Sequence, residues 1–223
     1  MSRQKIVISF TLLFSLLFLG ISLANQPALA GAPAQKTTEE VQWGWDDDHA
    51  VGSSQLIRNH SGLTAVFDTS ELPAGQAVTL WFIIFNNPEH CSTSPCSLPA
   101  DLFTEGVEGD FHFASGHVTG GSGNTSFAGR LNVGDTSGSG RVELGIDDGV
   151  GLIDPYKAEV LLAVHSHGPA LTGKELKDQL SSFSGGCEVF LGPNGFASGP
   201  DEVPDEAGEC STIQFSLHKG NHS

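Results

Sequence analysis

The chain has 223 residues, with 10 Lys and Arg against 26 Asp and Glu and a formal charge of −16 at neutral pH. A surface that acidic repels phosphate backbones and anionic lipid headgroups, so nucleic acid and membrane surfaces are poor partners. Setting aside residues 1–30, about 190 of the 223 residues remain, which suits one medium-sized domain with a full core.

Residues 1–30 read as an export signal. Basic Arg3 and Lys5 lead into an apolar run over 6–23, and Ala28-Leu29-Ala30 forms a small-residue exit. Cleavage there removes two basic and no acidic residues, which takes the charge to −18. No later stretch approaches the roughly 20 apolar residues of a membrane-spanning helix. The expected location is an exported compartment, periplasmic or extracellular, with no membrane span in the processed chain. Residues 31–42 are small and polar and are expected to form a flexible lead. Residues 43–223 are then a single disulfide-bonded domain.

Within that domain, Trp43 and Trp45 flank the acidic stretch Asp46-Asp47-Asp48-His49. Residues 63–68 alternate moderately, as a half-buried strand does. Residues 78–85 (VTLWFIIF) are apolar on both faces and predict a central strand covered on both sides. Residues 109–118 and 125–133 read as two strands paired across the Gly-rich loop 119–124. Residues 141–146 alternate cleanly, with Val142, Leu144 and Ile146 expected inward. Residues 158–167 form another strongly apolar strand, and Ile213, Phe215 and Leu217 give the last strand one buried face. Thr172 and Glu175 stand at capping-box spacing, followed by Leu176, Leu180 and Phe183, which predicts one short helix near 172–183. The fold class is therefore all-β, an antiparallel β-sandwich or jelly roll. The 28 glycines suit its many turns and bulges.

None of the four cysteines lies in the signal, and an even count in an exported chain points to two disulfides. Three connectivities are possible, and nearest-neighbour pairing, Cys91–Cys96 and Cys187–Cys210, is favoured. The longer loop gains about 3 kcal/mol from its bridge in the chain-entropy model. A four-thiolate zinc site fits less well, because the second pair lies far beyond the two to four intervening residues that zinc knuckles use.

The sharpest candidate site is Val164-His165-Ser166-His167-Gly168-Pro169. Residues i and i+2 of a strand share a face, so His165 and His167 can aim both imidazoles at one copper or zinc ion. His112 or His117 would supply further ligands, and Asp110 shares a face with His112. The alternative is that His165 faces the interior, hydrogen-bonded to backbone, while His167 caps the turn. The acidic stretches 46–48 and 201–206 lack the spaced oxygens and central Gly of an EF-hand and read as solvated loops. Motifs of α/β-hydrolases, zinc proteases and dinucleotide-binding folds are absent.

Residues 77–88, the close Cys pair, Ala100-Asp101-Leu102-Phe103, residues 116–121 and Ser166-His167-Gly168-Pro169-Ala170 together resemble a family of uncharacterised exported bacterial proteins over roughly 56–187. His165-Ser166-His167-Gly168-Pro169-Ala170 is also similar to the His-x-His-Gly-Pro-Ala element of CHRD domains, which implies a secreted β-sandwich module. Copper/zinc superoxide dismutases likewise carry a His-x-His on a β-sandwich, but their further metal-binding motifs are not recognisable here. The favoured reading is a secreted, non-enzymatic binding or envelope-associated module for a small ligand, a glycan or a protein. A copper- or zinc-binding protein, of oxidoreductase type if it is an enzyme, is the alternative. A glycan site would use Trp43, Trp45 or Trp81 as a stacking platform.

Overall fold

A computed structural model describes residues 32–44, 46–192, 195 and 202–221. The signal-like stretch 1–30 and Trp45 lie outside the described residues, as do the side chains of Asp46, Asp47 and Asp48. Strands dominate: β1 (Gln35–Trp43), β2 (Asp46–Asn59), β3 (Gly62–Thr69), β4 (Gln76–Phe85), β5 (Gly109–Val118), β6 (Thr125–Asn132), β7 (Glu159–Pro169), β8 (Val189–Phe190) and β9 (Glu209–His218). Two short helices accompany them, α1 (Gly140–Glu143) and α2 (Gly173–Gln179). The protein is all-β, as its sequence predicts.

One nearly closed antiparallel sheet runs in the order β5-β4-β7-β9-β1-β2-β3-β6, and β8 adds to β9 in parallel. The end strands β5 and β6 face each other across the seam. A Cβ on Gly129 of β6 would lie 2.6 Å from the Cβ of Ala114 on β5. The two strands expected to pair across 119–124 are thus neighbours at the seam, but β5 takes its ladder from β4 and β6 from β3.

Alternation along the strands sorts side chains onto two faces. Val78, Leu80, Phe82 and Ile84 of β4 join Leu56, Leu63, Phe67, Phe127, Val160, Leu162 and Val164 in the enclosed core. Trp81, Ile83 and Phe85 point the other way, into a second cluster with Leu102, Phe111, Leu161 and Phe215. Every residue of β4 is buried, as expected for a strand covered on both sides.

Three local expectations are corrected. Residues 35–43 form β1, laddered along β2 and touching β9 at Gln42 and Trp43, where a flexible lead was expected. The backbone pairing compensates for a sequence with few apolar residues. Residues 141–146 do not form a strand. Ser139 accepts a hydrogen bond from the Val142 N–H and starts the one-turn helix α1. Val142, Leu144 and Ile146 consequently stand 44–47% exposed. The helix expected near 172–183 ends at Gln179, and Thr172 takes its N-cap position without a capping side-chain bond.

Candidate functional site

The outer face of β7 carries Leu161, Ala163, His165 and His167 in succession. The His-x-His pair therefore shares one face, with ring centroids 4.9 Å apart. It does not stand at an open rim. Both rings are fully buried, and β7 continues through Gly168 to Pro169. Gly168 has a positive φ of 69°, and a Cβ there would meet the Glu206 carbonyl oxygen at 2.6 Å, so this crossing needs glycine.

His167 is held on both sides. Its Nδ1 donates to the Gly185 carbonyl at 2.9 Å, which leaves Nε2 to accept from the Thr79 hydroxyl at 3.0 Å. Thr79 Oγ1 in turn accepts from the Trp81 indole N–H at 2.8 Å. Burial lowers the His167 pKa to about 4, outweighing the Gly185 hydrogen bond and the charge of Glu143. His165 places Nδ1 3.1 Å from the Thr212 hydroxyl, stacks on Phe183 at 4.3 Å, and leaves Nε2 buried without a hydrogen-bond partner. Its pKa is also held well below the usual imidazole value, by burial first and then by His167, against the opposing effect of the Phe183 backbone. Both imidazoles are thus neutral at ordinary pH. The partner of this pair is the Cys187–Cys210 disulfide, whose sulfurs lie 3.6 and 3.8 Å from His167 Nδ1.

His112 and His117 are not part of this group. His112 lies on the enclosed face of β5 opposite Phe82, buried, with Nε2 3.0 Å from Asp110 Oδ2. His117 is exposed near the seam, its ring 6.2 Å from Phe127. Asp110 and His112 share a face as expected, but that face is turned away from His165 and His167. The tryptophans offer no stacking platform among the described residues, because Trp43 and Trp81 are both buried. Both expected disulfides are present, which fits an oxidising compartment. No helix among the described residues is long and apolar enough to cross a membrane.

Sequence reasoning missed the feature that lies over the second cluster. Ile83, Pro99, Leu102, Phe103, Phe111, Leu144, Phe183 and Phe190 line a pocket of about 240 Å³. Phe103, Leu144 and Phe190 stand 49%, 44% and 42% exposed at its mouth. Several devices hold this arrangement. Glu143, at the end of α1, accepts from the backbone N–H groups of Phe183 and Ser184 at 2.8 and 2.9 Å and from the Ser184 hydroxyl. Gln179, buried at the end of α2, donates to the carbonyls of His167 and Pro169 and so ties that helix to β7. A Cβ on Gly140 would overlap the Phe111 ring at 1.9 Å, so glycine lets α1 settle on the pocket wall. The only signal in the sequence was the apolar set Phe103, Leu144, Phe183 and Phe190, scattered over loops too far apart to associate. A wider trough of about 900 Å³ between β1 and β9 is walled by apolar residues such as Leu161, Phe215 and Leu217 together with the charged Glu39, Glu40 and Lys219.

At the opposite end of the enclosed core, His218 bonds Ser54 Oγ through Nε2 at 2.8 Å and Thr37 Oγ1 through Nδ1 at 2.7 Å. Burial and then the nearby Arg58 charge lower its pKa to about 4. The unfolded imidazole takes up its proton near pH 6.5, so this neutral histidine contributes stability that is complete above about pH 6.5 and lost as pH falls toward 4. Urea midpoints measured across that window should fall. His218→Gln should flatten the decline by roughly 2–3 kcal/mol, and an unchanged slope would contradict the assignment.

Comparison with known proteins finds no matching family model, no matching curated protein and no matching solved structure.

Proposed function

We propose that the protein is an exported, non-enzymatic binding module, periplasmic or extracellular, whose ligand is a small neutral apolar molecule held in the aromatic pocket over the outer face of the sheet. The observation that carries this reading is the lining itself: four Phe, two Leu, one Ile and one Pro, with no charged side chain. Such a wall recognises bulk and π surface, not a charged head. Its volume of about 240 Å³ exceeds the ~150 Å³ that accommodates a benzene ring in an engineered cavity. The pocket therefore takes one substituted ring or a short branched chain, and the rest of a larger apolar molecule can lie over the exposed Phe103, Leu144 and Phe190 at its mouth. Phe103, Leu144 and Phe190 gather at one mouth instead of standing singly, and a contiguous exposed apolar patch marks a binding surface. The two disulfides and the export-like 1–30 stretch support the compartment. The similarity of residues 165–170 to CHRD modules agrees with a secreted β-domain.

Titration with the neutral fluorophore N-phenyl-1-naphthylamine tests the reading. Saturable binding at one site is expected, with a response from Trp81, whose ring lies 5.7 Å from Phe111 and 5.3 Å from Phe183. Leu144→Asp places a carboxylate at the exposed mouth and should weaken binding by about tenfold or more, the cost of desolvating that charge. Absence of binding, or binding indifferent to Leu144→Asp, would overturn the proposal. Competition by a peptide but by no small apolar compound would transfer the site to a protein partner.

A further inference from the structure

We infer that His165, His167, Cys187 and Cys210 form a buried four-ligand site for a zinc-class cation whenever the Cys187–Cys210 bridge is reduced, so that metal and disulfide exclude one another at one place in the fold. One ligand atom from each of the four residues lies within 4.8 Å of every other. Two thiolates and two imidazoles are the donor set of a closed tetrahedral zinc site.

The spacing around His167 agrees, and reduction frees the two sulfurs to part from bonding distance. With Zn–S near 2.3 Å and Zn–N near 2.0–2.1 Å, tetrahedral angles place each sulfur about 3.6 Å from each nitrogen. His167 Nδ1 already stands 3.6 Å from Cys187 Sγ and 3.8 Å from Cys210 Sγ. His165 keeps Nε2 buried with no hydrogen bond, although its other nitrogen is engaged by Thr212. A buried nitrogen left unpaired calls for an explanation, and a cation drawn in by the four ligands supplies one.

The supporting shell is also present. When His167 Nδ1 takes the metal, its proton moves to Nε2, which then donates to Thr79 Oγ1, 3.0 Å away. Metal-bound imidazoles characteristically donate their second N–H in this way. Phe183 and Phe190 cover His165 from the solvent side, at 4.3 and 5.9 Å between ring centroids. Both histidines are neutral at ordinary pH, so neither must lose a net proton to bind.

The chemistry balances with a dithiol as reductant. The dithiol supplies two electrons and two protons to the Cys187–Cys210 bond and closes its own disulfide, leaving two thiols here. The divalent cation then displaces two protons, one from each thiol, and binds two thiolates and two neutral imidazoles. A disulfide oxidant takes two electrons from the two thiolates and two protons from solvent, leaves as a dithiol, and so restores the bridge and releases the cation. In an oxidising compartment the bridge is the resting form. The metal form belongs to encounters with a dithiol reductant, or to the interval before the bridge closes.

The test uses the Cys91→Ser/Cys96→Ser double variant, which removes the competing thiols beside Asp101. After reduction and removal of oxygen, the protein is titrated with Co(II) as a spectroscopic stand-in for zinc. One equivalent should bind, with thiolate-to-cobalt charge-transfer bands and the intense visible bands of a tetrahedral site, and zinc should displace it. The oxidised protein should show none of these. His165→Ala and His167→Ala should each weaken uptake by on the order of a hundredfold, with circular dichroism reporting whether the fold is kept. A second readout needs no histidine variant. Zinc should slow alkylation of Cys187 and Cys210 together, as read by mass spectrometry. No cobalt uptake by the reduced protein, a spectrum unchanged in folded His165→Ala and His167→Ala, or thiols unprotected by zinc would overturn the inference.

Discussion

Arg58→Met is expected to be the most damaging single substitution in this protein, lowering stability by about 4 kcal/mol. Arg58 belongs to β2 and is 2% exposed. Its guanidinium donates from Nη1 to the carbonyls of Pro155 and Ala158 at 2.6 and 2.8 Å, and from Nη2 to those of His218 and Lys219 at 2.9 and 3.3 Å. The planar fork thus gathers four carbonyls from the two chain segments that flank β7 and β9 at one end of the enclosed core. Burial lowers its pKa to about 10, partly offset by Asp154, so it stays charged at neutral pH. Met fills similar volume but leaves three buried acceptors and the part-buried Lys219 carbonyl bare. Arg58→Lys keeps the charge, yet one ammonium cannot serve four carbonyls spread across a fork, and roughly half the loss should remain. Urea unfolding at pH 7 measures both variants. A loss below about 1 kcal/mol for Arg58→Met would show that water replaces the guanidinium and that this end is open.

Asp110→Asn is expected to cost roughly 3 kcal/mol and to damage the aromatic pocket as well. The carboxylate is fully buried. Oδ1 accepts from the Phe111 N–H at 2.8 Å and the Ser139 hydroxyl at 2.7 Å, and Oδ2 from the Val150 and Gly151 N–H groups at 2.9 and 3.0 Å. Every one of those positions needs an acceptor. An amide presents its NH2 to at least one pair of donors, whichever way it is turned. Ser139 is also the N-cap of α1. The break therefore propagates to Glu143, which holds Phe183, and to Leu144 at the pocket mouth. Naphthylamine affinity should fall together with stability, although Asp110 does not line the pocket.

The pH signature of Asp110 is distinct. Burial alone would raise the carboxyl pKa, but His112, the Gly151 N–H and Ser139 outweigh it and hold the pKa well below the ordinary carboxylate range. The unfolded carboxyl titrates near pH 4, so the stabilisation is complete above that pH and is lost only as pH falls toward the lower folded value. The gap between wild type and Asp110→Asn should therefore stay constant from pH 7 to 5 and close only in strong acid. A gap that closes between pH 7 and 5 would assign the effect to a histidine instead.

The strands that were legible in the sequence are those whose burial does not depend on distant partners. VTLWFIIF is apolar at every position and became β4, and 109–118 became β5 without a shift of boundary. β1 and β2 escaped detection for the opposite reason. Their polar sequences face solvent on one side, and Arg58 points into the core where an apolar residue would have completed the pattern. Residues 141–146 show alternation misleading outright. Nothing in Arg-Val-Glu-Leu-Gly-Ile reveals that Ser139 will start a helical turn, or that Gly140 will be pressed against Phe111. At the site, the shared face of His165 and His167 followed from strand geometry alone. Their proximity to Cys187 and Cys210 depended on a crossover that sequence spacing does not encode. The pocket was illegible because its walls come from β4, β5, β8 and three loops, each contributing one to three apolar residues unremarkable in isolation.

The central claim, that the outer-face pocket takes a small apolar ligand, is tested most directly by a ¹H–¹³C NMR titration of methyl and aromatic groups with N-phenyl-1-naphthylamine. Saturable shifts should appear at Leu102, Phe103, Leu144, Phe183 and Phe190, while Leu56 and Leu63 of the enclosed core stay unmoved. Shifts centred on the trough between β1 and β9, or none at saturating probe, would contradict it.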